Sequence, residues 1–548
     1  MGFGILADKH LSHVPGTVLL VDREKLPTIS GDPSRLKHDP KNPDVVLVPQ
    51  PSDDPNDTLN WTRRRKFWVM ICIVYGSALV GAIGPLISPG LLVISEDLGI
   101  TLTEGAQFSG ALVQAIAIGT FFSAAGGTIY GGRPMYTIAG ILLFVTSIWC
   151  AVGKTYPSIL AARVIAGFGM APLETLVPAT LSDIFFVHER ATALAVWSTA
   201  LGLGISVTPF VNGVVIDKIG WRWCFWLIAM QFAIMVVIFY LFVPETRYIR
   251  ASVHNLDTGS KEKINELVGD GADSPQSPSV DVAKDESGDI VHLEHGRADI
   301  PSLKTFKQNL AIYTGRKSPK GFWRVFFRPF SVMFSPVVLW AALIYGTTSA
   351  LFVVLSVLQS QIWASPPYFF NAEQVGYTGA GGLALFWVGL LEGPLLDWIV
   401  KKMAQRNHGV FEPEFRLVFI IPQLILQVMG LVGWGISAKR GDHWIVPVIF
   451  STLFSLGQGF GSLASTSYVI DAHRERAAEV FTVITLYKNT LTFAFTWFVN
   501  SWLQKQGMMA VLGTLGGLIA ACSLTTIPMY IYGKRARSWV HRMGLDKE

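Results

Sequence analysis

Hydrophobic and polar positions along this chain sort into long blocks, not into the short periods of an amphipathic helix or a half-buried strand. Apolar blocks of about 20 residues, each long enough to cross a bilayer as a helix, run near 67–90, 107–128, 135–153, 158–182, 191–215 and 221–243. A second set follows near 333–358, 374–398, 416–437, 444–469, 478–502 and 508–532. Between the sets lies a hydrophilic stretch from about Glu245 to Arg328. Its centre, GDGADSPQSPSVDVAKDESGD, is low-complexity and too poor in apolar residues to offset the entropy of folding. Its end, SPKGFWRVFFRPF, mixes arginine with aromatics and suits an amphipathic segment on the inner membrane face. The pattern predicts an all-α polytopic membrane protein with about 12 transmembrane helices in two pseudo-symmetric six-helix bundles. The expected organisation is a disordered cytoplasmic arm at 1–66, an N-terminal bundle at 67–243, a cytoplasmic linker at 244–329, a C-terminal bundle at 330–533 and a cytoplasmic tail at 534–548.

Composition agrees. Of 548 residues 51% are hydrophobic and 15% charged, against about 25% charged in a soluble chain. Basic residues mark orientation: Arg133, Arg190, Lys401, Lys402, Arg406, Arg474 and Arg476 fall in even-numbered connections, and SEDLGITLTEG, the first odd one, has none. This bias predicts both termini inside. The run Arg63-Arg64-Arg65-Lys66 beside Trp61 reads as an inner-face anchor. The start of the chain lacks the apolar core of a secretory signal. Cys72, Cys150, Cys224 and Cys522 all fall in or beside apolar blocks, so neither a disulfide framework nor a zinc site is expected. No phosphate-cradling G-x-x-x-x-G-K-[ST] loop occurs, which disfavours ATP-driven pumping. The net charge of +5 sits beside spans and does not suggest nucleic acid.

Two stretches repeat across the halves. Ala161 to Gly213 contains a glycine-rich span and the turn LSDIFFVHERA; Leu456 to Ala477 reads LGQGFGSLASTSYVIDAHRERA. Such copies suit a transporter built from repeated halves. Arg163-x-x-x-Gly167-x-Gly169 resembles the R-x-x-x-G-x-G motif of major facilitator superfamily drug:proton antiporters. Gly202 to Gly213 looks like their glycine-proline motif, with Thr208-Pro209 where Gly-Pro is usual. With NWTRRRK, NHGVFEPEFRL and IPMYIYGKRARSW in order, nearly the whole chain outside arm and linker is similar to the fungal twelve-span branch. The resemblance implies the major facilitator fold and a non-enzymatic exporter of a drug, toxin or secondary metabolite, working by proton antiport with alternating access. It further implies a multi-pass plasma-membrane monomer whose partners are a small-molecule substrate and the bilayer, without nucleic acid, metal or any cofactor beyond the proton as coupling ion. Proton-coupled uptake of a nutrient or an organic cation such as a polyamine uses the same fold, and a non-transporting sensor is a third possibility.

Ionisable groups inside spans are costly, about 2.5–3.5 kcal/mol each, and usually face a bundle interior or wet cavity. Glu174 lies midway along the fourth span, eleven residues past Arg163, about three turns on the same face; it suits a proton, a cation or each in turn. Arg163 either relays a proton by pairing with an acid, as the resemblance suggests, or holds backbone carbonyls. Glu392, Lys488 and Asn489 are the other intramembrane polar groups, and Gln114, Tyr345, Trp387 and Tyr468 are candidates for a substrate wall. For gating, the turns Asp183…His188-Glu189-Arg190 and Asp471…His473-Arg474-Glu475-Arg476 occupy equivalent places in the halves. They read as charge networks that break on switching or as solvated loop charges. Gly393-x-x-x-Asp397 resembles the start of the family's gating motif, whose first-half copy has Thr128 in place of the expected Asp. Pro209 permits a helix bend.

Overall fold

A computed structural model describes residues 4–11, 14, 16–19, 38–39, 42–46, 51–52, 54–248, 302–364, 366, 368–407, 410–473 and 476–543. The low-complexity centre of the linker lies outside them. The first six long helices are α1 (Arg63–Ile83), α2 (Leu102–Tyr130), α3 (Gly132–Val152), α4 (Tyr156–Ile184), α5 (Val187–Lys218) and α6 (Arg222–Phe242). The second six are α7 (Pro336–Ala364), α8 (Gly382–Arg406), α9 (Ile420–Arg440), α10 (Ile445–Ala472), α11 (Ala477–Gln506) and α12 (Met508–Leu524). A further helix, α13 (Thr526–Arg542), continues from α12 after a turn at Thr525. Each helix satisfies its backbone internally, the only open-chain solution in hydrocarbon. Ten stretches among the described residues are long and apolar enough to cross a membrane. The long helices outside that set, α8 and α11, carry Glu392, Asp397, Lys488 and Asn489. One buried apolar cluster fills the first bundle, and two others fill the second.

Both chain ends lie on one face: Leu6 N donates to the Ile531 carbonyl at 3.0 Å, and Arg535 Nε to that of Ala7 at 3.2 Å. This face is called the terminal face, and the other the far face. Segments of residues 1–66 expected to lack structure pack there instead. Val18–Leu19 pairs antiparallel with Val410–Phe411, Ile5 and Val14 are buried, and Thr58 Oγ1 donates to the Asp183 carbonyl at 2.8 Å. The tail expected from 534 is likewise helical. Arg537 is buried, donating to Glu412 at 3.1 Å and to Glu414 at 2.8 Å, and Lys534 also meets Glu412. Pairing of opposite charges brings these polar segments into the fold, a signal that apolar content does not register.

Two span boundaries also differ from expectation. The first span, read as 67–90, stops at Ile83. Pro85 has no N–H to continue the ladder, so the chain turns through Ser88–Gly90 into a short helix at Leu91–Leu98. Carbonyls freed at this break take side-chain donors from three other helices. Arg163 Nη1 donates to Ile83 O at 2.9 Å, Ser109 Oγ to Gly84 O at 3.2 Å, and Asn212 Nδ2 to Leu86 O at 2.8 Å. The eighth span, read as 374–398, is displaced. Ala372–Tyr377 is a separate short helix capped by Asn371, and α8 begins only at Gly382.

Candidate functional site

Between the bundles lies a partly open cavity. Glu174 projects from α4 onto its wall, and Lys488 and Asn489 project from α11 of the other bundle. Lys488 Nζ donates to Glu174 Oε1, and Asn489 Nδ2 to Oε2 at 3.4 Å. All three are buried. Tyr345 of α7 lines the same space. Glu392 enters from α8, its carboxylate resting against Gly459 of α10, with no hydrogen-bond or ion-pair partner among the described residues. Gln458 adds an amide that donates to Ser462 Oγ at 2.8 Å. The remainder of the wall is largely apolar, with Leu112, Met170 and Phe352.

Glycines set the cavity's shape. On α5, Gly204 meets α1 so closely that a methyl group would collide with the Ala78 carbonyl, whereas at Gly202 a Cβ would find nothing within 4 Å. The glycine run therefore seals one helix contact and leaves room on the cavity side. Arg163 is absent from the lining: its guanidinium is committed to the end of α1 and lies 5.8 Å from the Phe225 ring. Of its two sequence readings, this geometry is the carbonyl-holding one. Gln114 is absent from the lining too, its buried Oε1 without a partner among the described residues. Tyr468 is fully buried beside Trp340 and Met529, away from the cavity. The Trp387 and His188 side chains fall outside the described set.

Contacts between the bundles flank the cavity at both ends. Toward the terminal face, Trp197 of α5 meets Phe481 of α11 edge-on at 6.2 Å, and Thr192 Oγ1 donates to Asp397 at 3.4 Å. Asp397 also faces Arg416 at 3.8 Å, and Arg416 Nε donates to Asp471 at 2.6 Å. One arginine thus joins the two gating acids. In the sequence it stood out only as part of the stretch NHGVFEPEFRL. Arg476 grips Glu479 at 2.5 Å and Ser331 at 2.8 Å, contacts that, like the Arg416 cluster, lie within the second half. Arg190 donates to the Ser182 carbonyl at 3.1 Å, Glu189 sits in the first turn of α5, and Glu475 lies outside the described residues. Where Thr128 replaces an acid, Glu245 from beyond α6 caps α3, accepting from Gly132 N and Arg133 N at 3.1 Å each.

Toward the far face, the Pro209 carbonyl abuts Gly376, and Gly213 abuts the same glycine. Phe210 faces Tyr377 at 5.8 Å, and Lys218 pairs with Glu373 at 3.5 Å. The Glu373 carboxyl is held below its ordinary range by the Tyr377 hydroxyl first and by Lys218 second.

Two six-helix bundles around a shared cavity with a few buried polar groups, and a contact zone at each end, make a device for exposing one site to either side of a membrane. Residues 67–496 of the 548 match the description Major Facilitator Superfamily. The chain belongs to this superfamily. An MFS-type transporter of Schizosaccharomyces pombe is 26% identical over 97% of this chain and 94% of its own. The MFS-type transporter penM of Penicillium rubens is 27% identical over 91% of this chain and 90% of its own. Among solved structures, the proton:xylose symporter XylE of E. coli covers 86% of this chain and 96% of its own at a TM-score of 0.56 and 13% identity, a likeness of fold alone. As a superfamily member the chain is a multi-pass membrane transporter.

Proposed function

We propose that this transporter exports a small organic molecule in exchange for protons, by alternating access of the central cavity. The Glu174–Lys488 pair carries the reading: a carboxylate of one bundle and an ammonium of the other meet on the cavity wall. A proton arriving on Glu174 cancels that attraction, and loss of one partner in a buried pair is worth about 3–5 kcal/mol. That suffices to bias two packings of the bundles against each other. Releasing the proton on the other side restores the pair. Glu392 faces the same cavity without a partner among the described residues, so substrate and proton have two acids to occupy in turn. Kinship with fungal MFS-type transporters supports the exporter reading. It includes a plasma-membrane monomer with both termini cytoplasmic and no cofactor.

One observation favours a second reading, uptake of an organic cation. The ionisable wall holds two carboxylates, Glu174 and Glu392, against one ammonium, Lys488, leaving an acid in excess. Sealed vesicles with an imposed pH gradient separate the two. Antiport requires a compound to move against the proton flow and Glu174→Gln to abolish gradient-driven movement. Entry of a cation together with protons would leave the superfamily standing and replace export by uptake.

A further inference from the structure

The last part of the linker is absent from both the cavity and its gates, yet it is the most one-sidedly charged stretch of the described chain. Residues 302–334 carry seven Lys or Arg and no Asp or Glu. Lys304, Lys307 and Arg324 are exposed, with no acid partner among the described residues. Large apolar side chains stand among them in the open: Phe306 is 63% exposed, Trp323 63% and Phe334 67%. Solvent-facing aromatics interleaved with lysine and arginine are poorly suited to water and well suited to a membrane interface.

The segment is fixed in place. Arg133 holds the carbonyls of Asn309 and Leu310, and Lys317 N donates to Ile129 O at 2.7 Å. Phe330 stacks on Phe121 at 5.1 Å, and Phe326 meets Phe122 edge-on at 5.0 Å. Phe122 and Ile118, one turn along α2, are themselves exposed, so the aromatic patch runs into the outer wall of the helix. At its other end Arg328 pairs with Glu479 at 3.4 Å, and Arg476 donates to the Arg328 carbonyl at 3.2 Å. The strap thus joins α2 and α3 of one bundle to α11 of the other.

We propose that residues 302–334 form a docking surface for anionic phospholipid headgroups of the adjoining leaflet. Aromatic side chains enter the acyl boundary while the basic residues meet the phosphates and carboxylates above it. Charge complementarity selects this occupant: each basic residue near an anionic leaflet adds to binding, and no acid in the segment opposes it. Because the strap spans both bundles, lipid bound to it stabilises the arrangement in which their terminal ends are together.

The test uses purified full-length protein in neutral detergent, titrated with phosphatidylserine, phosphatidylcholine or inorganic phosphate while its melting temperature is followed. Phosphatidylserine is expected to raise the melting temperature saturably, the other two to leave it unchanged, and added salt to suppress the effect. The Lys304→Gln/Lys307→Gln/Arg324→Gln variant is expected to melt like wild type without lipid. It should need about a hundredfold more phosphatidylserine for half the shift. Equal shifts from phosphatidylserine and phosphatidylcholine, an equal response to inorganic phosphate, or an unaltered half-point in the variant would overturn the proposal. Hydrogen exchange on the wild type gives a readout independent of the variant: residues 302–334 should be protected by phosphatidylserine, and absence of that protection also overturns it.

Discussion

Cutting the Glu174–Lys488 pair from one side should cost more than removing it altogether. Lys488→Met leaves the Glu174 carboxylate, 9% exposed, with only Asn489 at 3.4 Å. Glu174→Gln leaves a buried ammonium facing a neutral amide. Removing one partner of a buried pair costs about 3–5 kcal/mol, whereas replacing both with neutral groups of similar volume is often neutral or stabilising. At about 1.4 kcal/mol per decade, each single change shifts the balance between paired and separated bundles by two to three orders of magnitude. The double variant Glu174→Gln/Lys488→Met should recover most of the loss, because it leaves no buried charge unpaired. Thermal melting of purified wild type, both singles and the double reads this cycle. Reconstituted transport under a pH gradient reads its consequence. Both singles should melt lower than wild type, the double close to it, and all three should lose gradient-driven flux. Singles that melt like wild type, or a double as unstable as the sum of the singles, would refute the pairing and with it the switch.

Other outcomes follow from single contacts. Gly204→Leu should fail to assemble, because the side chain would enter α1 at Ala78, whereas Gly202→Leu should fold and narrow the range of transported compounds by filling open space; expression with a substrate panel separates them. Arg163→Met should destabilise the protein by about 3 kcal/mol through buried carbonyls left at the end of α1, read as a lower melting temperature; wild-type stability with lost proton coupling would return Arg163 to the relay reading. Arg416→Gln leaves Asp397 and Asp471 of the second bundle without their shared cation, so the protein should lose about 3–5 kcal/mol of stability, read as a lower melting temperature. The folded-state value of Glu373 is depressed, so its contribution to far-face closure is present above the ordinary carboxylate value and lost as pH falls through the lowered one. Spin labels at the exposed Ile219 and Phe369 should therefore keep their separation from neutral into mildly acidic pH and part only below the ordinary carboxylate range.

Chain order alone determined the helical, membrane-spanning character of this protein and its division into two sets of six. In hydrocarbon a helix must satisfy its own backbone within one apolar run, so length and composition decide its existence locally. The same local logic made Glu174, Glu392 and Lys488 conspicuous, because each interrupts such a run. It misjudged the described parts of the arm, where Val18–Leu19 pairs with Val410–Phe411 and Thr17 donates to Glu412. Only the tertiary structure decided which charge meets which. Glu174 and Lys488 stand 314 residues apart and meet because α4 and α11 face one another across the cavity. Arg163, on the same helix as Glu174, is drawn instead to carbonyls exposed where Pro85 breaks α1. Arg416 meets its two acids only because α8 and α10 bring Asp397 and Asp471 to it. A span forms from the residues inside it, but the partner of a buried charge is set by how separate spans pack, and that information lies in no single stretch of the chain.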